Sequence, residues 1–134
     1  MQKILLDTNF LLVPGQFGVD IFSELERICD FTFKLCVLDK TLDELKSVQQ
    51  QGGKDKAAAI LGLKLVDAKK LQVLDTKTAT FKKVDQIILE LAPKEGILKE
   101  GFIVATNDGP LKSRLKQLKV RVVTLRQKKF LQLE

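Results

Sequence analysis

The chain has 134 residues, of which 45% are apolar and 30% are charged, and its net charge is +6. This length allows one domain with a buried core but not two, so we expect a single domain over residues 1–134. The sequence has no histidine and only two cysteines, which excludes a His/Cys zinc site and catalysis by a histidine base. Any catalysis must therefore depend on carboxylates, lysines or a metal ion.

The sequence also lacks the marks of a membrane or secreted protein. No apolar run approaches the roughly 18 residues that a membrane-spanning helix needs. The residues after Lys3 are apolar only as far as Leu6, which does not fit a signal peptide. We therefore expect a cytoplasmic protein with no membrane partner.

Short runs of strand-forming residues alternate with segments in which apolar residues recur at helical spacing. In chain order, this pattern predicts strand 4–6, helix 19–29, strand 34–38, helices 41–51 and 54–70, strand 71–74, helix 81–92, strand 102–105, helix 108–118 and strand 120–125. Proline and glycine predict loops at residues 14–18 and 93–101, and polar residues predict a connection over 75–80. The alternation indicates a parallel α/β sheet with right-handed crossovers.

Four acids occupy positions from which they could share one site. Asp7 and Asp108 each follow a predicted strand, and ligands bind at the carboxyl ends of strands in open parallel sheets. Glu44 and Asp85 lie about 100° and 110° from the centres of the apolar stripes of their helices, at a turn of 100° per residue. A carboxylate at the border of such a stripe can reach into a cleft. We therefore expect the four acids to gather at one edge of the sheet.

Four carboxylates in one place repel each other, and the repulsion raises their pKa values. A divalent cation would compensate for this charge, and hard oxygen ligands select Mg²⁺ or Mn²⁺. Such ions activate water and stabilise the attacking and leaving oxygens in phosphoryl transfer. We therefore expect one or two Mg²⁺ or Mn²⁺ ions at this site.

Each acid also has a structural explanation. Asp7 could occupy a turn, and Asp85 could be a solvated charge near a helix N-terminus. Glu44 completes the capping-box pattern Thr41-x-x-Glu44. Asp108, or the residue before it, could cap the last helix. These alternatives stay open, and the joint placement of the acids is what favours a site.

Four segments resemble the successive acidic motifs of PIN-domain ribonucleases. They are Leu6-Asp7-Thr8-Asn9, Leu42-Asp43-Glu44-Leu45, Lys83-Val84-Asp85-Gln86-Ile87-Ile88 and Ala105-Thr106-Asn107-Asp108. The resemblance implies that the metal ligands are Asp7, Glu44, Asp85 and Asp108. It also implies that Thr106 is an auxiliary catalytic residue and that Asn9 orients the first acid. The implied fold is a five-stranded parallel sheet in the order 3-2-1-4-5, flanked by helices on both faces, and homodimerisation is an expectation from the family alone.

Within that family, the segments around Asp7 and Asp108 are most similar to archaeal relatives of the eukaryotic PIN nucleases that process small-subunit ribosomal RNA. The implied function is metal-dependent endonucleolytic cleavage of RNA, with ribosomal RNA or its precursor as the partner. Two alternatives stay open. The chain could be the toxin-type PIN ribonuclease of a toxin–antitoxin pair, or an RNA- or ribosome-binding module without turnover.

The C-terminal region is strongly basic. No acidic residue occurs from Gly109 to Leu133, and residues 126–134 are expected to form a basic tail. Basic surfaces of this kind bind the phosphate backbone of nucleic acids. The residues expected to contact RNA are Lys112, Lys116, Lys119, Arg126, Lys128 and Lys129. The alternative is an ordinary solvated helix face.

Overall fold

The structure is a computed structural model that describes residues 1–76, 82–93 and 101–134. Its strands are β1 (Gln2–Leu6), β2 (Phe33–Leu38), β3 (Gln72–Leu74), β4 (Phe102–Ala105), β5 (Val122–Arg126) and β6 (Phe130–Leu133). Its helices are α1 (Thr8–Phe17), α2 (Ile21–Ile28), α3 (Asp39–Gln51), α4 (Lys56–Ala68), α5 (Val84–Leu91) and α6 (Gly109–Gln117).

The strands form one sheet in the order β3-β2-β1-β4-β5-β6. The pairs among β1 to β5 are parallel, and β6 pairs with β5 in antiparallel orientation. The predicted order of the first five strands is confirmed, and β1 and β4 are neighbours. The two strands that precede the acids at positions 7 and 108 therefore end side by side at one edge.

The sixth strand is absent from the prediction, which treated residues 126–134 as a tail. Leu131 is 1% exposed and packs into the core, while Phe130 and Gln132 are exposed. This alternation is typical of a strand with one buried face. The chain turns back at Gln127 and Lys128, whose φ angles are 54° and 55°. Neither residue is one of the usual turn formers, so the sequence did not indicate the hairpin.

Each face of the sheet is covered by helices, as predicted. In β1, Ile4 and Leu6 belong to the cluster of buried residues that also contains side chains of α1, α2, α3 and α4. Leu5, between them, belongs to the second cluster, with side chains of α5 and α6. Successive strand residues point to opposite faces, so this strand is buried on both sides.

The loop predicted around Pro14 is wrong, because α1 continues to Phe17. A Cβ added to Gly15 would lie 2.4 Å from the Cα of Ala58 in α4. A Cβ added to Gly62 in α4 would likewise meet the backbone oxygen of Leu11. The two glycines thus allow α1 and α4 to pack backbone to backbone, and this tertiary contact stabilises a helix across a proline that would normally end it.

Three predicted features fall partly or wholly outside the described residues. They are the connection over 75–80, the start of the helix predicted at residue 81, and the loop over 93–101. The described part of that helix begins at Val84. The remaining boundaries shift by a few residues from the predictions, as in α3, which begins at Asp39 rather than Thr41.

The helices are short compared with the thickness of a bilayer. The longest, α3 and α4, have 13 residues each, whereas a membrane-spanning helix needs about 20 apolar residues. In the part of the chain that the structure describes, no helix is long and apolar enough to cross a membrane.

Candidate active site at the carboxyl edge of the sheet

The register of β1 and β4 places Asp7 beside Thr106. Leu6 pairs with Ala105, so the next residue of each strand emerges at the same edge. The Thr106 hydroxyl donates a hydrogen bond to Asp7 Oδ2 at 2.8 Å, and the backbone N–H of Asp7 donates to the carbonyl of Ala105 at 2.9 Å. Asp7 is 7% exposed and Thr106 is fully buried. The first acid is therefore held by the neighbouring strand.

The environment of Asp7 disfavours its charge. Burial is the largest effect and raises its pKa above the ordinary value. Hydrogen bonds from the Thr106 hydroxyl and the Thr8 backbone N–H oppose this shift, and the nearby charges of Glu44 and Asp108 add to it. The Thr8 bond, 2.8 Å to Oδ1, caps α1. Asp7 thus begins the helix and also carries a negative charge that a cation would stabilise.

Glu44 faces the start of α1. Its Oε1 atom accepts a hydrogen bond from the Thr8 hydroxyl. The alternative in which Glu44 completes a capping box with Thr41 is wrong, because the N-cap position of α3 is Leu38. Thr41 is instead fully buried, and its hydroxyl has no hydrogen-bond partner among the described residues. The Glu44 carboxylate is therefore directed to the same edge of the sheet as Asp7.

Asp108 is both a helix cap and a neighbour of Thr106. Its Oδ1 atom accepts from the backbone N–H of Leu111 at 3.0 Å, and this bond caps α6. Its own backbone N–H donates to the Thr106 hydroxyl at 3.1 Å. The capping alternative is thus correct for Asp108. Because the cap uses one carboxylate oxygen, it leaves Oδ2 available to a ligand.

The four acids line one open cleft with a volume of about 450 Å³. Its walls come from α1, α3, α5 and the turn after β4. The charged and polar side chains that line it are Asp7, Thr8, Asn9, Glu44, Ser47, Lys83, Asp85 and Asp108. One oxygen of Asp85 accepts from the backbone N–H of Gln86 at 3.0 Å, as expected for an acid in the first turn of a helix. The structure therefore gathers acids from four distant segments.

Two asparagines connect this cleft to β5. Asn9 Oδ1 accepts from the backbone N–H of Asn107, and Asn107 Oδ1 accepts from the backbone N–H of Leu125, both at 3.1 Å. We expected Asn9 to orient Asp7, but the hydrogen bonds to the Asp7 carboxylate come from the Thr106 hydroxyl and the Thr8 backbone N–H. Asn9 lines the cleft and fixes the turn after β4.

Three polar residues that line the cleft were not predicted as site residues from the sequence. Thr8 follows Asp7 directly, Ser47 lies one helical turn after Glu44, and Lys83 lies two residues before Asp85. Helical spacing could have indicated Ser47, since residues three apart share a helix face. Lys83 gave no such signal because it precedes the first turn of α5.

A further acid, Asp39, lies at the end of β2 but does not line the cleft. Its two oxygens accept hydrogen bonds from the side chain and the backbone N–H of Thr76 and from the backbone N–H of Lys40. Burial would raise its pKa, but these hydrogen bonds together outweigh that effect and lower it. Asp39 therefore has a structural role, joining the end of β2 to the residues after β3.

The donors in the cleft fit a hard divalent cation. Carboxylate oxygens are the preferred ligands of Mg²⁺ and Mn²⁺, and burial disfavours the charged form of Asp7. In the described residues, no three acidic, His or Cys side chains stand close enough together to hold a metal by themselves. A cation in this cleft would therefore need water or substrate phosphates to complete its shell, as Mg²⁺ commonly does.

Three of the basic residues predicted to contact RNA share one acidic partner. Lys112, Lys116 and Arg126 lie 3.8, 3.4 and 3.9 Å from the carboxylate of Glu134. Glu134 follows β6 and pairs with Val122 of β5 through its backbone. This position brings its carboxylate close to Lys112 and Lys116 of α6. These three cations are therefore partly neutralised within the fold.

The other three predicted RNA contacts lie in two places. Lys128 and Lys129 belong to the turn after β5, at the same edge of the sheet as the acids. They line a different pocket from the acidic cleft, and Lys128 Nζ lies 5.6 Å from the ring centre of Phe17. Lys119 lines a separate cavity with Gln2 and Arg121, at the opposite edge where the parallel strands begin. Lys119 therefore does not belong to the surface around the acidic cleft, and we correct that assignment. Lys119 follows the C-terminal end of α6, and a helix that crosses between parallel strands returns to the edge where the strands begin, so chain order could have indicated this position.

Comparison with known proteins places this geometry in context. A family model described as a PIN like domain matches residues 4–128. The chain is 32% identical over 136 residues to Ribonuclease VapC4 of Methanocaldococcus jannaschii, an alignment that covers 99% of this chain and 97% of the relative. Among solved structures, the PIN domain endonuclease Utp24 superposes with a TM-score of 0.73 at 20% identity and covers 98% of this chain and 90% of that one.

Proposed function

The chain belongs to the PIN-like domain family, and from this premise we propose that it is a metal-dependent endoribonuclease that hydrolyses phosphodiester bonds in RNA. One observation carries the proposal: Asp7, Glu44, Asp85 and Asp108 come from four distant segments and line the same cleft. The archaeal relative named as a ribonuclease supports the reaction class. In this proposal, residues 1–134 act as one catalytic domain.

The four acids would hold one or two Mg²⁺ or Mn²⁺ ions. When bound, a divalent cation neutralises charge that develops on the phosphate and makes water a better nucleophile. This chemistry suits a chain that has no histidine to act as a general base.

The polar residues around the acids set their positions. The Thr106 hydroxyl contacts the carboxylate of Asp7 and the backbone N–H of Asp108, so one side chain fixes the relative position of two acids. The Thr8 hydroxyl holds Glu44 in the same way. Fixed carboxylates need little reorganisation when they bind a cation and a phosphate, and such preorganisation favours the transition state.

We propose ribosomal RNA or its precursor as the substrate. The support is the resemblance of the segments around Asp7 and Asp108 to rRNA-processing nucleases, together with the basic turn at Lys128 and Lys129. That turn lies outside the cleft but at the same edge of the sheet, so it would bind the RNA backbone beyond the part that enters the cleft.

A toxin-type ribonuclease is the second candidate, and the relative Ribonuclease VapC4 favours it. Such an enzyme would be held inactive by a small partner protein. Copurification of an inhibitory partner from the native host would support this candidate, whereas an rRNA-processing enzyme should act on its precursor without release from an inhibitor.

The proposal is tested with the purified full chain and end-labelled RNA. A single-stranded fragment of precursor rRNA and a tRNA are incubated with Mn²⁺, with Mg²⁺ or with EDTA. We expect shortened products only in the presence of a metal ion, with 5′-phosphate ends. If the chain binds the RNA but leaves it intact with either ion, the chain is an RNA-binding module instead.

A further inference from the structure

The acidic cleft also contains a lysine. Lys83 lines it together with Asp7, Glu44, Asp85 and Asp108, and it is the one basic residue among the described residues that line this cleft. An RNA strand brings further negative charge to a cleft with four carboxylates. A cation in the cleft therefore lowers the electrostatic repulsion between the strand and the acids.

The backbone of Lys83 is anchored at the start of α5. Its N–H donates to Gln86 Oε1 at 3.1 Å, and its carbonyl accepts from the backbone N–H of Ile87 at 3.1 Å. Asp85, two residues later, lines the same cleft. The side chain of Lys83 therefore starts from a defined position beside one of the proposed metal ligands.

The ion pairs of the described residues distinguish Lys83 from nearby lysines. Among the residues that the structure describes, no acidic oxygen lies within ion-pair distance of its Nζ atom. Its neighbour Lys82 differs, because Lys82 Nζ lies 2.6 Å from Glu90 Oε1. Lys112 and Lys116 of α6 are also paired, with Glu134. Lys83 is thus a cation at the cleft that can bind an anionic ligand without first breaking an ion pair.

We propose that Lys83 is a substrate-binding residue that contacts a phosphate of the RNA strand in the cleft. This inference rests on the proposed function and adds a contact to it. A lysine ammonium is a compact point charge that binds phosphate without reading the base, so the contact is independent of RNA sequence. It would offset part of the repulsion between the strand and the four acids.

The experiment compares K83M, K83R and K82M with the wild-type full chain. K82M is the matched control, because it removes an adjacent lysine that pairs with Glu90 instead of lining the cleft. Binding of a fluorescent single-stranded RNA is measured by anisotropy in EDTA over a range of salt concentrations. Cleavage is measured separately with Mn²⁺.

For K83M, we expect RNA binding about fivefold weaker and a salt slope reduced by about 0.7, the value for one phosphate contact in a single strand. KM should rise by a similar factor, with a smaller change in kcat. K83R should retain most of the binding, and K82M should match the wild type.

The outcomes separate this inference from the function on which it rests. If wild-type protein cleaves RNA but K83M has the same salt slope and KM as wild type, the Lys83 contact is overturned and the ribonuclease proposal stands. Equal losses in K82M and K83M would also overturn it, because they would show a general charge effect. If wild-type protein neither binds nor cleaves RNA, both proposals fail.

Discussion

The Thr106 hydroxyl donates a 2.8 Å hydrogen bond to the Asp7 carboxylate and so joins residues 99 positions apart. The same oxygen accepts from the backbone N–H of Asp108 at 3.1 Å. One buried side chain therefore links the acids that follow two neighbouring strands. Thr106, which was expected to be an auxiliary catalytic residue, thus positions two of the acids.

Replacement of Thr106 by valine keeps the shape and removes both hydrogen bonds. We expect the free energy of unfolding to fall by about 1–3 kcal/mol, the usual cost of leaving buried polar groups without partners. The pKa of Asp7 should rise further, because the bond from Thr106 lowers it. Urea unfolding and the acidic limb of the pH–rate profile measure the two effects. Thr106→Ser keeps the hydroxyl but loses a buried methyl, so it should preserve the pKa of Asp7 even if some stability is lost. An unchanged pKa of Asp7 in the Val variant would contradict the assignment.

Replacement of Asp7 by asparagine should stabilise the metal-free protein near neutral pH. The folded-state pKa of Asp7 is raised by burial, so its charged form costs stability, and that cost appears as the pH rises from the ordinary value of 3.8 through the folded pKa. Well below pH 3.8 the carboxyl is neutral in both states, and the variant and wild type should converge. Denaturant unfolding in EDTA at several pH values measures this difference.

Asp20→Asn is the matched control for the sign of this effect. The hydrogen bonds of Asp20 to Ser23 and the start of α2 lower its pKa. Its charge therefore adds stability above pH 3.8, and that stability is lost as the pH falls through the folded pKa. Asp20→Asn should destabilise the protein near neutral pH, opposite to Asp7→Asn, and the same sign for both variants would contradict the electrostatic account of the cleft.

Addition of Mg²⁺ or Mn²⁺ should raise the Tm of the wild-type protein. A ligand that binds only the folded state stabilises it by about 2.7 kcal/mol at a concentration 100 times its Kd. Differential scanning fluorimetry with increasing metal measures the shift without reference to activity. The shift should be absent in Asp7→Asn and retained in Asp20→Asn. Equal shifts in the two variants would place the metal elsewhere.

Replacement of Glu134 by glutamine should strengthen RNA binding. The carboxylate of Glu134 pairs with Lys112, Lys116 and Arg126, so its removal frees these cations for phosphate. We expect a several-fold lower Kd and a steeper salt dependence, measured by anisotropy. Glu26→Gln makes the same charge change on the exposed surface of α2 and should have a smaller effect. Equal effects would mean that only net charge matters.

The placement of the four acids along one edge could be predicted from helical periodicity, from the ends of the predicted strands and from the family resemblance. Parallel pairing of β1 and β4 brings Asp7 and Asp108 to one edge, and helical geometry directs Glu44 and Asp85 to the cleft. The helical positions follow from local rules that a single sequence expresses directly, whereas the pairing of β1 with β4 joins distant segments and was implied by the family resemblance.

The missed features depend on contacts between distant segments. α1 continues past Pro14 because Gly15 allows close packing on α4. β6 forms because Leu131 is buried against the sheet, and this strand carries Glu134 to the basic residues of α6. Local sequence patterns do not contain such information. For this reason residues 126–134 were predicted to form a basic tail, and Lys112, Lys116 and Arg126 were predicted to contact RNA.

The central claim is that the acidic cleft cleaves RNA, and the variant Asp108→Asn tests it most directly. Asparagine caps a helix as well as aspartate does, so α6 should be preserved and the unfolding midpoint should change little. Cleavage of single-stranded RNA with Mn²⁺ should fall by about a hundredfold or more, because several kcal/mol of transition-state stabilisation is lost. Undiminished cleavage by a folded Asp108→Asn protein would contradict the account.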